Sequence, residues 1–305
     1  MAMTGAMILT SNFPNFLQPN LDHITSETKL YPDIVGKVCT IKQSNKKFET
    51  TASAKFLPKA NLIFEGDTAE SASMSQAYLT TFMMQMFGIS YTITKQAFED
   101  NLYQDVLDRV PAIAQALHET EQVRFAEVTD NGFSDIGSDG VPLFSTRHPN
   151  MEAGTYANTF SSPVDLSESS FQNAIVLGQN MRTYSGLRMT QKTKALYIGQ
   201  DNQFVAGRMY AAINNGRMST GDNDMDINAT YLPGEQAIMN IYLSLPRFWS
   251  LLYQQDLGSG FKYYLRNKLD IVATANPLNS STTVVGTKRF AVGIDYPKII
   301  VGSFF

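Results

Sequence analysis

Charge is the first thing this sequence is short of. Its 24 basic and 28 acidic residues make up 17 % of 305 positions, where a soluble chain carries about a quarter. Neutral polar side chains fill the difference. A folded chain of 33.9 kDa exposes on the order of 13,000 Å². So few charges over that area suit a surface largely covered by neighbours. They also argue against nucleic-acid binding through the whole surface, which needs clustered Lys and Arg.

Cysteine is reduced to Cys39, which excludes an intramolecular disulfide and a cysteine-built metal site. The first 18 residues lack a basic n-region and a small-residue cleavage site. No apolar run approaches the roughly 20 residues that span a bilayer. A soluble chain of a reducing compartment is expected, in which the sequons at Asn228 and Asn279 carry no weight. Histidine is scarce too. His23, His118 and His148 have no His or Cys four residues on, and a Ser-His-Asp set would require three distant loops to converge. Asp222, Asp224 and Asp226 imitate the opening of a calcium loop, but Ile227 and Pro233 stand where that loop needs Gly and Glu. Gly137, Gly140 and Gly154 are too scattered to cradle a phosphate. Met83, Met84 and Met86 read as packing residues. No catalytic residue, cofactor or metal is expected.

What is present is a succession of short elements. Residues 1–49 are broken by Pro14, Pro19 and Pro32 into extended pieces and read as an arm. Through residue 60 there are seven lysines against four acids, a mild basic bias read as a solvated arm, with nucleic acid as the alternative. Residues 50–93 alternate in strand-like fashion, with pieces at 55–57 and 62–64, a charged small-residue tip at 65–75 and a return limb over 78–93. This reads as one long hairpin, and such a ribbon needs something to lie on. Its limbs carry Phe56, Phe64, Tyr78, Phe82 and Phe87, and its tip Glu65, Asp67 and Glu70. One helix is expected over 95–110. Pro111 starts a second, with Val110, Ile113, Ala114, Leu117, Phe125 and Val128 inward and Glu119, Glu121 and Arg124 off that stripe. Asn131 and Gly132 would cap its end. Ser167 should cap a helix reaching about Tyr184, with Phe171, Ala174, Ile175 and Met181 inward. A buried strand at 195–198 precedes a helix capped by Asp201 or Asn202 and closed at Asn215 and Gly216. The remainder from 237 reads as strands, the last pieces at 289–294 and 298–301. Helices and strands mix without βαβ alternation, so the expected class is α+β.

The order of these elements, with Asp139-Gly140-Val141-Pro142-Leu143-Phe144-Ser145 followed by His148-Pro149-Asn150, resembles the major head subunits of Mu-like phages. The strand and helix over 194–213 and the ending Tyr296-Pro297-Lys298-Ile299-Ile300-Val301-Gly302-Ser303-Phe304 are similar to those of tailed-bacteriophage major capsid proteins of the Hong Kong 97-type fold. That resemblance implies an N-terminal arm (1–49), an extended E-loop (50–93), a peripheral domain (94–130 and 262–290) with a spine helix near 111–129, and an axial domain (131–261 and 291–305). It implies a virion protein, assembled in a bacterial cytoplasm into hexamers and pentamers of an icosahedral head around double-stranded DNA. A portal, a separate scaffolding protein and a possible decoration protein would be partners, and no membrane would be involved. Phe56, Phe64, Glu65, Asp67, Tyr78, Phe82 and Phe87 would form the assembly interface. Some relatives join an E-loop Lys to a neighbour's Asn beside a buried Glu near the C-terminus. Lys55 and Lys59 are available here, but the matching stretch 285–291 offers Thr287 and Lys288 and no Glu, so no cross-link is expected. No scaffold-like segment precedes the arm, so an N-terminus near Met1 is expected in particles. The alternative reading is a ligand-binding or hydrolytic domain using the loop 139–150.

Overall fold

The computed structural model describes residues 7–8, 33–55, 57–69, 71–96, 110–151, 154–189, 191–214, 236–254, 260–276 and 281–303. Its first elements are β1 (Met7–Ile8), α1 (Ile34–Val38), β2 (Thr40–Gln43), β3 (Phe48–Lys55), β4 (Ser75–Met83), β5 (Gln85–Ile93) and α2 (Val110–Asp130). After these come β6 (His148–Asn150), β7 (Gly154–Tyr156), α3 (Glu168–Gln179), β8 (Lys192–Ile198) and α4 (Gln203–Asn214). The last are β9 (Gln236–Met239), β10 (Trp249–Gln254), β11 (Phe261–Asn276), β12 (Ser281–Ile294) and β13 (Ile300–Ser303). The chain divides into two compact units. One lies within Met1–Glu49, Phe82–Arg124 and Tyr263–Val292, the other within Thr50–Thr81, Phe125–Lys262 and Gly293–Phe305.

The first unit is a five-stranded sheet, in the order β1-β5-β12-β11-β2, with the first part of α2 against it. Pro111 stands in the first turn of α2, where a missing N–H leaves no intrahelical bond unmade. Ile113 and Leu117 pack on Val284, Phe87, Tyr91 and Ile271, the apolar stripe that the helical spacing predicts. Alternate residues of β5 and β12 meet this helix. Phe87 stacks on Phe290 with ring centroids 4.6 Å apart. A second cluster joins Phe82 and Met84 to Tyr264 and Ala291.

The hairpin expected over 50–93 is shorter than its hydrophobic pattern suggests. β3 pairs only with β4, and the run breaks at the buried Met84. β5 leaves the ribbon and pairs antiparallel with β12, from Ile93 opposite Thr282 to Gln85 opposite Phe290. The two halves of one alternating stretch therefore serve different sheets. The pieces expected as strands around 62–64 are irregular, with a turn in which Asp67 donates its N–H to Phe64 at 3.0 Å. Of the helix expected over 95–110, residues 97–109 lie outside the described residues.

The second unit is a four-stranded sheet, β13-β10-β8-β9, flanked by α3 and α4. Leu196, Ile198, Trp249, Leu251 and Val301 from the sheet enclose Phe171, Ala174 and Met181. The Trp249 indole donates to the carbonyl of Val164 at 2.8 Å. Ser167 caps α3 through a capping box with Ser170. That helix stops at Gln179, so Met181 and Tyr184 reach the interior from the turns that follow it. Before α4, residues Gln200–Asn202 form a 3-10 turn, and the Asn202 amide donates to the carbonyl of Arg247 at 2.8 Å in place of capping. The expected close of that helix at Asn215 and Gly216 lies outside the described residues. α2 ends at Asp130, beside Asn131 and Gly132 as expected, but Asn131–Phe133 continue as a 3-10 turn in place of a left-handed glycine cap. Glycine is required there by space, since a Cβ would sit 2.8 Å from the Phe144 ring. The strand expected at 289–294 is only the end of β12, which with β11 is far longer than the sequence suggests.

Candidate assembly surfaces and buried polar centres

The ribbon of β3 and β4 carries a segment, residues 57–69 and 71–74, without regular structure. Its apolar side chains face solvent: Leu62 is 80 % exposed and Phe64 69 %, with Leu57, Ile63 and Met74 similarly open. Glu65 and Asp67 stand beside them, also exposed. Between the limbs lies an open cavity of about 580 Å³ lined by Lys55, Leu57, Lys59, Ile63 and Ser71 among others. An extended segment with that much uncovered apolar surface is uncommon on a monomer.

The residues expected at an assembly interface do not share one environment. Phe64, Glu65 and Asp67 lie together on the exposed tip. Tyr78, half-buried, meets Tyr184 edge-on with centroids 5.5 Å apart and donates to the carbonyl of Pro149 at 3.4 Å. Burial, then the charge of Asp139, raise its phenol pKa. Phe82 is buried against Tyr264 at 5.1 Å, and Phe87 is stacked on Phe290, so these two rings fill their own unit and have little area left for a neighbour. Phe87 belongs to the part of the return limb that the ribbon loses at Met84, and Phe82 stands just before that break, near the end of β4. Phe56 and Glu70 lie outside the described residues.

The loop 139–150 is built around His148, which is fully buried. Its Nδ1 meets the Asp139 carboxylate at 2.6 Å, and its Nε2 faces Leu143 O and Asn158 Oδ1, each at 3.1 Å. Asn158 in turn donates to Leu143 O at 2.6 Å and accepts from Ser145 N at 2.9 Å. Both ring nitrogens thus face oxygens of the loop itself, and neither is presented to a substrate. The pair holds the loop's shape. A hydrolytic site at 139–150, the alternative reading of the sequence, has no open histidine nitrogen to use.

Two buried centres escaped the sequence analysis. Lys298 is 0 % exposed. Its ammonium donates to Arg182 O at 2.7 Å and Asn150 Oδ1 at 3.3 Å, and it lies over Tyr184 at 3.8 Å and Tyr156 at 4.7 Å. Burial pushes its pKa down to about 7, while the tyrosine faces favour the cation. The second centre is Glu121 in α2, expected off the apolar stripe and found buried. It accepts from Lys288 Nζ at 2.5 Å and from the Tyr263 hydroxyl, and His118 Nδ1 lies 3.7 Å away. Burial pushes its carboxyl pKa up, but the hydrogen bonds from His118, Lys288 and Tyr263 outweigh this and hold it low. The only local signal was His118 one helical turn before Glu121, since Tyr263 and Lys288 are distant in sequence. Beside it Gln122, fully buried, accepts from the N–H groups of Ile34 and Val35 at 3.1 and 3.2 Å and so anchors the start of α1. Among the described residues no group of three His, Cys, Asp or Glu could hold a metal ion, and no helix is long and apolar enough to cross a membrane. The Asp222–Asp226 cluster and His23 lie outside those residues.

No family model and no curated protein matches the sequence. Solved structures do match the fold. The capsid of Cyanophage P-SCSP1u aligns with a TM-score of 0.57 at 10 % identity, over 90 % of this chain and 88 % of that one. Mycobacterium phage Patience gives 0.56 at 10 % identity, over 98 % and 90 %. The virus-like particle of Pyrococcus furiosus gives 0.54 at 6 % identity, over 92 % and 96 %. The α+β arrangement of ribbon, long helix, five-stranded sheet and four-stranded sheet is the Hong Kong 97-type capsid fold.

Proposed function

We propose that this chain is the major capsid protein of a tailed bacteriophage. It would be a structural, non-enzymatic subunit that self-assembles into hexamers and pentamers of an icosahedral head around double-stranded DNA. The observation that carries the reading is a capsid fold over most of the chain together with an exposed ribbon tip. Leu62, Ile63 and Phe64 are uncovered on an element too thin to bury them. A neighbouring subunit would cover them. Residues 94–130 and 262–290, with α2 and the long strands, would be the peripheral domain. Residues 131–261 and 291–305 would be the axial domain, residues 1–49 the arm, and 50–93 the E-loop, with its second limb shared with the peripheral sheet. By resemblance the partners would include a portal, a scaffolding chain and in some heads a decoration protein. Assembly would take place in a bacterial cytoplasm, and the product would be the virion shell. Repeated heterologous contacts that close on themselves give such rings without further chemistry. Negative-stain microscopy of the expressed chain tests the reading. Shells, tubes or rings are the expected result, and uniform particles of one 34 kDa subunit at assembly concentrations would overturn it.

A further inference from the structure

The basic bias of the arm acquires a location in the fold. β2 lies at the edge of the five-stranded sheet, next to β11. Ser44 N donates to Leu265 O at 3.0 Å, and Arg266 Nη1 donates to the carbonyl of Lys46 at 3.2 Å. Lys42, Lys46 and Lys47 therefore come to the same sheet edge as Arg266 and Lys268, although Lys46 and Arg266 are 220 residues apart in sequence. The four lysines are exposed. The acidic residues nearest in these segments are Glu49, at the start of β3, and Asp270 of β11. Glu49 is largely covered and accepts from Ser44 Oγ at 2.6 Å, with Lys46 at 3.7 Å. This edge is thus net positive on a chain whose net charge is −4. Arg266 and Lys268, two residues apart on a strand, project from one face about 7 Å from each other. Both can then meet a single phosphodiester strand, whose charges recur about every 3.4 Å of axis.

We infer that the β2–β11 edge is a contact surface for the phosphate backbone of double-stranded DNA. The inference rests on the proposed function for its choice of polyanion. The contact is one of charge, independent of base sequence, and released by salt. It locates in five side chains the clustering that the whole surface lacks.

The test uses full-length subunits and a fluorescent 20-base-pair duplex, titrated by anisotropy between 50 and 200 mM NaCl. Lys46→Gln/Lys47→Gln should weaken binding at least tenfold at the low-salt end. It should also lower the slope of log K against log salt by about two, one for each lost phosphate contact. The control Lys192→Gln/Arg208→Gln removes two exposed charges from the other unit and should change affinity less than twofold. Thermal melts of both variants establish that they are folded. No duplex binding by the parent chain, or equal weakening by both double variants, would overturn the inference. Binding unmoved by Lys46→Gln/Lys47→Gln would overturn it as well. Polyglutamate titrated in parallel exposes the other possibility. If it binds this edge and the duplex does not, the partner is an acidic polypeptide and the inference falls. Microscopy of the same samples keeps the two readings apart, because shells can form while duplex binding ignores the edge, and duplex binding can depend on the edge when no shells form.

Discussion

Glu121 shows how much a single buried carboxylate can hold. Three donors from a helix and two strands converge on it: His118, Tyr263 and Lys288. Replacing it by Ala leaves Lys288 and Tyr263 facing an apolar gap, and the expected loss is about 3–5 kcal/mol, read by chemical denaturation. Glu121→Gln still offers an oxygen and should lose less. The pH dependence follows from two opposite shifts. The Glu121 carboxyl pKa is lowered in the fold, so its contribution is present above the ordinary carboxylate range and disappears as pH falls through the lowered value. The His118 pKa is raised, first by its hydrogen bond to Glu121. Its contribution is therefore complete below about pH 6.5 and is lost as pH rises through the raised value. The difference in melting temperature between the parent and His118→Gln should shrink from pH 6 to pH 8, and a difference that grows would contradict the ion pair. Gly286 is a second residue with a measurable role. A Cβ there would lie 2.1 Å from Cγ2 of the buried Ile113, and Gly286→Ala should cost about 1–3 kcal/mol through overpacking. A melt unchanged within error would show that α2 can move away from the sheet.

At the scale of elements, the ribbon is separable from the cores. Residues 57–69 and 71–74 make no strand and leave their apolar side chains in solvent, so neither core depends on them. Replacing Lys59 to Ala77 by a short Gly-Ser turn should leave the melt within a few degrees of the parent while abolishing shells. A finer test is Leu62→Ser/Phe64→Ser. Substitutions at exposed positions usually change stability by less than about 0.5 kcal/mol, so circular dichroism should not move, whereas microscopy should show no closed particles. A double variant that still builds heads would place the contact elsewhere on the ribbon. The same element marks where sequence reasoning reaches and where it stops. The period-2 pattern is legible on both limbs, as are the Pro111 start of α2, the Ser167 cap and the buried strand at 195–198, because each depends on neighbours in sequence. That β5 abandons the ribbon at Met84 depends on β12, nearly 200 residues later in the chain, and no local pattern encodes that choice. The alternation alone places Phe87 with the ribbon, whereas β12 draws it into its own unit against Phe290, and Phe82 packs on Tyr264 of the distant β11. The burial of Glu121, off the apolar stripe of α2, is hidden for the same reason, since its partners Tyr263 and Lys288 reach it only in the folded chain. The exposed tip residues Phe64, Glu65 and Asp67 were legible because charged and small residues around an aromatic leave it nothing local to pack against.

For the proposed shell, the question is whether covalent bonds or area alone would hold it. A lysine becomes a nucleophile only when a nearby base can take its proton. The sequence offers no Glu beyond Glu235, so β11 and β12 bring no glutamate of their own. The structure amends this: Glu121 of α2 is a buried carboxylate beside the stretch 285–291. It is nonetheless a poor base for another lysine, because Lys288, Tyr263 and His118 already donate to it and hold its pKa low. A carboxylate so stabilised gives up its charge only in acid, where lysine is fully protonated. Lys55 and Lys59 line the cavity of the ribbon tip, where no buried carboxylate stands among the described lining residues. Mature particles boiled in detergent should therefore run as one band near 33.9 kDa, and intact particles should dissociate to subunits in guanidinium without reductant. Ladders of covalent oligomers that survive both treatments would refute this. Ladders that vanish on Glu121→Gln would identify that carboxylate as the base after all. A single band obtained alongside closed shells would mean that summed noncovalent area between subunits is enough to hold the shell closed.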